Sequence, residues 1–144
     1  MKNNFPLDAF KVFPASHLAK IIFCDFDTHK LFWLPRTPDM YTASERSSEE
    51  KCRAWNNPRA GNQTFQNNVF GYLQGSIFGH RHMAHRVIWA LFYGGWPDGQ
   101  IDHINHIRND NRIDNLREVT RDENMQNKSL YSSNTSGVPG VVWN

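Results

Sequence analysis

The stretch Gln100-Ile-Asp-His-Ile-Asn-His-Ile-Arg-Asn-Asp-Asn-Arg-Ile-Asp-Asn-Leu-Arg-Glu-Val-Thr-Arg-Asp-Glu-Asn124 decides how this chain is read. Gln100 to Ile104 predicts a strand, Asn105 to Asp114 a polar loop, and Leu116 to Val119 a second short strand. Thr120 and Glu123 have capping-box spacing, because a Thr hydroxyl and a Glu carboxylate three residues on can each satisfy an orphan backbone N–H. They predict a helix that runs to about Leu130. The order is therefore strand, loop, strand, helix. It places Asp102 and His103 on the first strand, Asn115 at the mouth of the second and Asn124 on the first turn of the helix.

Carboxylate and carboxamide oxygens that meet across a hairpin and a helix form an incomplete, all-oxygen shell. That shell suits one hard divalent cation, Mg²⁺ or Mn²⁺, that keeps several waters and accepts phosphate oxygens. A His beside it, with an ordinary pKa of about 6.5, is suited to taking a proton from an attacking water. Strict strand alternation sends Asp102 and His103 to opposite faces. Both can serve one site only at a strand end or a local distortion, and irregular backbone is expected there.

Upstream, Trp96-Pro-Asp-Gly99 reads as a turn, and Met83 to Tyr93 as a buried helix stopped by Gly94-Gly95, with Trp89 and Phe92 in the core. Val69 to Phe78, broken by Gly71 and Gly75, predicts a hairpin or two short strands. Near the start, Ser16 caps a predicted helix that carries Leu18, Ile21 and Ile22 on one face and ends near Cys24, and a strand follows over Leu31 to Leu34. Arg36 to Asn68 is polar, with one helix predicted around Ser48 to Trp55; it reads as a surface excursion anchored by Trp55. The fold class is α+β. A mixed α/β segment over residues 1–68 precedes a unit over 69–131 and a tail over 132–144.

The 144 residues include 5 Trp, 4 Tyr and 10 Phe, enough to build one core, which excludes a disordered chain. The longest apolar run, Val87 to Tyr93, is far short of the ~20 residues of a membrane span, and the first residues carry no secretion signal. Cys24 and Cys52 alone form no disulfide framework and no thiolate zinc site, so a reducing cytoplasm is the expected setting. A net charge of +2 permits nucleic-acid binding without demanding it. From Val69 onward every cation except Lys128 is Arg, whose planar fork suits phosphate.

The segments His85-Arg-Val-Ile-Trp-Ala-Leu91, Trp96-Pro-Asp-Gly99, Ile101-Asp-His-Ile-Asn105, Asn111-Arg-Ile-Asp-Asn-Leu-Arg-Glu-Val-Thr120 and Arg121-Asp-Glu-Asn124 resemble the HNH nucleases, the ββα-metal fold, in their phage and intron-encoded homing-type branch. The resemblance covers about Ala84 to Asn127. It implies that residues 69–131 are the nuclease unit, that Asp102 and Asn124 hold one divalent metal and that His103 is the general base. It further implies that Asn115 hydrogen-bonds loop backbone and holds the His strand, and that the substrate is double-stranded DNA in a bacterial host cell. The chain departs at His106, where the family usually has Gly; Gly there suits a positive φ that His adopts only at a cost. Asn134-Thr-Ser-Gly-Val-Pro-Gly-Val-Val-Trp143 resembles the first strand of an Apetala-type DNA-binding module, here read as truncated.

Arg108, Arg112 and Arg121 flank the site as candidate phosphate contacts, with Arg108 and Arg112 the preferred pair and Arg117 a further neighbour. Arg86 is a candidate DNA contact whose alternative is a pairing inside the fold. His80, His82 and His85 lack an acidic or Cys partner for a second metal, which leaves His85 as a buttress for the motif. No membrane and no protein partner is implied. A catalytically weak DNA-binding or structural protein on the same scaffold remains the alternative, separated from an enzyme by cleavage that depends on metal and on His103.

Overall fold

A computed structural model of the chain describes residues 13–42 and 44–126. A 3-10 turn over Ala15–His17 leads into α1 (Leu18–Ile21), and the chain passes directly into β1 (Ile22–Asp25). The helix expected to reach Cys24 therefore stops at Ile21. Leu18 and Ile21 are buried on its inner face, but from Ile22 burial alternates with period two, with Ile22 and Cys24 inside and Phe23 outside. Ladder pairing with β2 (Lys30–Trp33) fixes that alternation, with Ile22 opposite Trp33 and Cys24 opposite Leu31. A two-residue strand, β3 (Gln63–Thr64), completes this sheet on the other edge of β2.

The polar stretch between β2 and β3 is tied into the core as well as lying on the surface. Its helix α2 (Ser48–Arg59) starts on a capping box formed by Ser47 and Glu50. Asn56 accepts from the Arg36 N–H and donates to the Arg36 carbonyl, both at 2.8 Å. The Arg36 side chain is buried, its guanidinium carbon 3.6 Å from the Trp55 ring centroid and 4.0 Å from that of Phe78. This cation packed between aromatic faces, together with the edge-on Trp33–Trp55 contact, anchors the excursion more firmly than Trp55 alone.

The second sheet is a meander of β4 (Asn67–Val69), β5 (Tyr72–Ile77) and β6 (His80–Met83). It leads into α3 (Ala84–Tyr93), which ends at Gly94 with φ +79, a left-handed position that glycine occupies without penalty. The helix buries Ala84, His85, Val87, Ile88 and Ala90, whereas Phe92 and Tyr93 are more than half exposed. Phe92 is thus not a core residue: the last turn of α3 runs past the sheet it packs on.

One core draws Phe13, Leu18, Ile21 and Leu31 together with Ile77, Val87 and Ile88. Against it stands a two-stranded hairpin of β7 (Gln100–His103) and β8 (Leu116–Val119), followed by α4 (Arg121–Gln126), which contacts both strands. Thr120 and Glu123 form the expected capping box. The continuation of this helix to Leu130 and the segment Asn134 to Trp143 lie outside the described residues.

Gly75 sits in mid-strand because a Cβ there would lie 2.8 Å from the ring of the buried Phe65. Gly75→Ala is expected to destabilise the fold by about 1–3 kcal/mol, as overpacking against an immobile ring does, measured as a lower midpoint in chemical denaturation.

Candidate functional site

The β7–β8 ladder is regular through both residues, Asp102 opposite Arg117 and His103 opposite Leu116. The irregular backbone expected at Asp102 and His103 is therefore absent. His103 is the last residue of its strand, and irregularity begins after it, in a turn where His106 donates its N–H to the His103 carbonyl and takes φ +61.

The loop between the strands is organised by Asn115. Its Oδ1 accepts from the Asn105 N–H at 3.0 Å, and its Nδ2 donates to Asn105 Oδ1 at 3.0 Å and to the Asp110 carbonyl at 2.8 Å. Its backbone carbonyl accepts from Ile104. One buried carboxamide thus joins both ends of the loop, so the polar groups it buries are satisfied by one another. The Arg112 fork closes on Asp110 at 2.8 and 2.9 Å and holds that carboxyl well below the usual carboxylate range.

Alternation along β7 sends its side chains two ways. On one face His103 packs edge-on against His85, ring centroids 5.0 Å apart, with the Tyr72 ring at 5.9 Å. His103 is 4% exposed, and its Nε2 lies 2.9 Å from Oδ1 of the buried Asn111. This contact ties Nε2 to the loop and leaves Nδ1 as the ring nitrogen that Asn111 does not engage. Asn111 is a site residue whose role the sequence did not reveal; its one signal is its place in a motif-like segment. Burial, with His103 and Arg86 nearby, pushes His85 down to about 3, so this neighbour of His103 stays neutral.

On the other face Arg117 lies across the ladder from Asp102 and donates to its Oδ2 from Nε at 3.0 Å and from Nη2 at 2.8 Å. Asp102 Oδ1 is left for another partner. Asn124, on the first turn of α4, donates from Nδ2 to Oε1 of Gln100 at 2.6 Å, which leaves its own Oδ1 as an acceptor. Gln100 and Asp102 are two apart and share a face, so the structure brings Asp102 and Asn124 to the same side of the hairpin and His103 to its end. Among the described residues no three His, Cys, Asp or Glu side chains gather as a metal cage. One carboxylate oxygen and one carboxamide oxygen nevertheless fit a hard divalent cation that keeps most of its water.

The arginines divide. Arg108, Arg112 and Arg121 are exposed, although Arg108 donates to the Phe70 carbonyl at 2.7 Å and Arg112 is engaged by Asp110. Arg86 is not presented to a ligand in this way: its guanidinium donates to the carbonyls of Gly99 and Pro97 and clamps the turn that leads into β7. His82 stacks on Trp96 at 5.1 Å, and His85 packs on His103, so the upstream histidines do not converge.

Residues 82–126, from β6 through α4, match the family model described as HNH endonuclease. No curated protein and no solved structure matches the chain. Among the described residues, no helix is long and apolar enough to cross a membrane.

Asn115→Ala removes three side-chain hydrogen bonds from a buried position. Expected outcomes are a loss of about 1–3 kcal/mol in denaturant unfolding and faster hydrogen exchange at the Asn105 amide. A second expectation concerns pH. Because the folded pKa of His85 is about 3, below the ordinary value of 6.5, the unfolded chain binds the extra proton first. The contribution of neutral His85 is complete above pH ~6.5 and is lost as pH falls toward ~3. His85→Gln should flatten the decline of the denaturation midpoint over that window; an unchanged slope would place the acid sensitivity elsewhere.

Proposed function

We propose, from the HNH endonuclease match over residues 82–126, that this chain is a metal-dependent DNA endonuclease of the homing type, with β7, β8 and α4 as its ββα-metal unit. The observation that carries the reading is the anchoring of His103. Asn111 engages Nε2, so Nδ1 is the nitrogen left to act as base, at the end of a strand whose Asp102 and Asn124 offer oxygen ligands on its other face.

His103 Nδ1 takes the proton from a water that attacks the scissile phosphorus in line with the departing 3′ oxygen. Neutral His85 and Tyr72 hold the imidazole without adding charge, and Asn115 fixes the end of the strand that carries it. Asp102 and Asn124 would hold one divalent ion, Mg²⁺ or Mn²⁺, which when bound supplies positive charge to the phosphate oxygens as the pentacovalent charge develops. Arg108, Arg112 and Arg121 grip phosphates of the duplex. The resemblance implies products with 5′ phosphate and 3′ hydroxyl ends.

A second reading, a DNA-binding protein with little turnover, is favoured by one observation: Arg117 already neutralises Asp102, the only carboxylate of the donor set. Supercoiled plasmid incubated with wild type and His103→Ala, each with Mg²⁺, Mn²⁺ or EDTA, separates the two. The nuclease reading expects nicked or linear product from wild type alone, abolished by EDTA, with the His103→Ala rate lower by about 10²–10⁴-fold and Mn²⁺ binding retained. Asp102→Ala should lose both cleavage and Mn²⁺ binding in calorimetric titration. Unchanged Mn²⁺ affinity would remove Asp102 from the ligand set, and plasmid bound but intact in every metal would establish the second reading.

A further inference from the structure

The turns that join β4 to β5 and β5 to β6 have the same construction: Phe70-Gly71 with φ +52 and +88, and Phe78-Gly79 with φ +46 and +83. Two-residue hairpin turns with both φ positive favour Asn or Gly in the first place, and a bulky side chain there is strained. At Phe78 packing compensates. Its ring stacks on Phe13 at 5.8 Å, meets Tyr41 edge-on at 5.8 Å and lies under the Arg36 guanidinium. At Phe70 nothing comparable is present: the residue is 86% exposed, the most exposed large hydrophobic among the described residues. The fold gains nothing from an aromatic ring at this strained position.

The position of the tip supplies the missing reason. Arg108, from the loop that follows His103, donates to the Phe70 carbonyl at 2.7 Å, and its methylene carbons pass close against Gly71. The same guanidinium lies 5.0 Å over the Tyr72 ring, which itself packs on His103. A short chain of contacts therefore fixes the Phe70 tip beside the candidate catalytic histidine. The loop that supplies Arg108 also exposes Ile104 and Ile107 and carries Arg112. An exposed ring beside the Arg108 guanidinium fits a polyanion with an apolar interior better than an apolar protein groove, and stacked bases inside a phosphate backbone meet that description.

We propose that Phe70 is a wedge that enters a base step of duplex DNA from the minor-groove side, next to the phosphate presented to His103. The inference rests on the nuclease reading and deepens it: the strained turn holds the ring outward, Arg108 fixes its bearing, and partial unstacking opens the strand to be cut. Apolar side chains inserted in this way kink and unwind the duplex.

The test is a closed plasmid relaxed by a topoisomerase in Mg²⁺ with His103→Ala full-length protein bound, so that the chain itself does not cut. His103→Ala should lower the linking number of the relaxed product. His103→Ala/Phe70→Asn should leave it at the protein-free value and bind DNA about tenfold more weakly, as loss of one stacking contact does. Its melting temperature should equal or exceed that of His103→Ala, because Asn-Gly suits this turn, so a folding defect does not explain the loss. His103→Ala/Phe70→Trp should restore unwinding. Equal unwinding with and without Phe70, binding without unwinding, or no binding by His103→Ala overturns the wedge. Cleavage of the same plasmid by wild type reports on the nuclease reading separately, so a cutting enzyme that unwinds without needing Phe70 retains the one and loses the other.

Discussion

The carboxamide of Asn115 is the constraint on which the site depends. A polar loop of this length would ordinarily sample many conformations, and ordering it costs about 1–2 kcal/mol per residue in backbone entropy alone. Asn115 meets that cost by serving the Asn105 amide, the Asn105 side chain and the Asp110 carbonyl at once. Asp110 in turn fixes Arg112 and accepts from Asn105. Between these fixed points Asn111 is held inward, where it meets His103. The ring nitrogen engaged on the candidate base is thus selected by a loop residue that is itself positioned by Asn115.

The pleat of β7 imposes a second constraint. A carboxylate and an imidazole on adjacent strand residues cannot share a face, and the hairpin does not break its ladder to bring them together. It places His103 at the very end of the strand, where the loop that follows closes over its side chain, and leaves Asp102 on the face that α4 covers. The two residues have different neighbours: aromatic and neutral imidazole rings around the candidate base, and the Arg117 fork on the acid.

Where the fold was legible in the sequence, the signal was local. The strand, loop, strand, helix order from Gln100, the capping box at Thr120 and the glycine stop after Tyr93 each depend on residues within a few positions of one another. What escaped depends on distant partners. Ile22 turned from helix to strand because Trp33 lies across from it, and Gln63-Thr64 became a strand because β2 had a free edge. His85 gained its place against His103 through the packing of α3 on the hairpin, and Asn111 its role through a loop closure that no periodicity announces. Phe92 looked like core because apolar periodicity does not say where the partner surface ends.

Backbone strain divides along the same line. Among the described residues five other than glycine take positive φ; for Phe65 and Phe78 the side chain is packed into the core, which compensates for the conformation, and His29 is half-buried in the turn between β1 and β2. His106 and Phe70 are exposed, and both lie on the loops around His103. Strain that packing does not offset persists only where the surroundings over-determine it, here by the hydrogen bond to the His103 carbonyl at one position and by the Arg108 clamp at the other. An Asn at either place would relieve the backbone and still close the turn. That the exposed strain falls on two turns of different hairpins, tied together by Arg108 and packed towards the candidate base, is a physical reason to propose this end of the molecule as the surface that meets substrate.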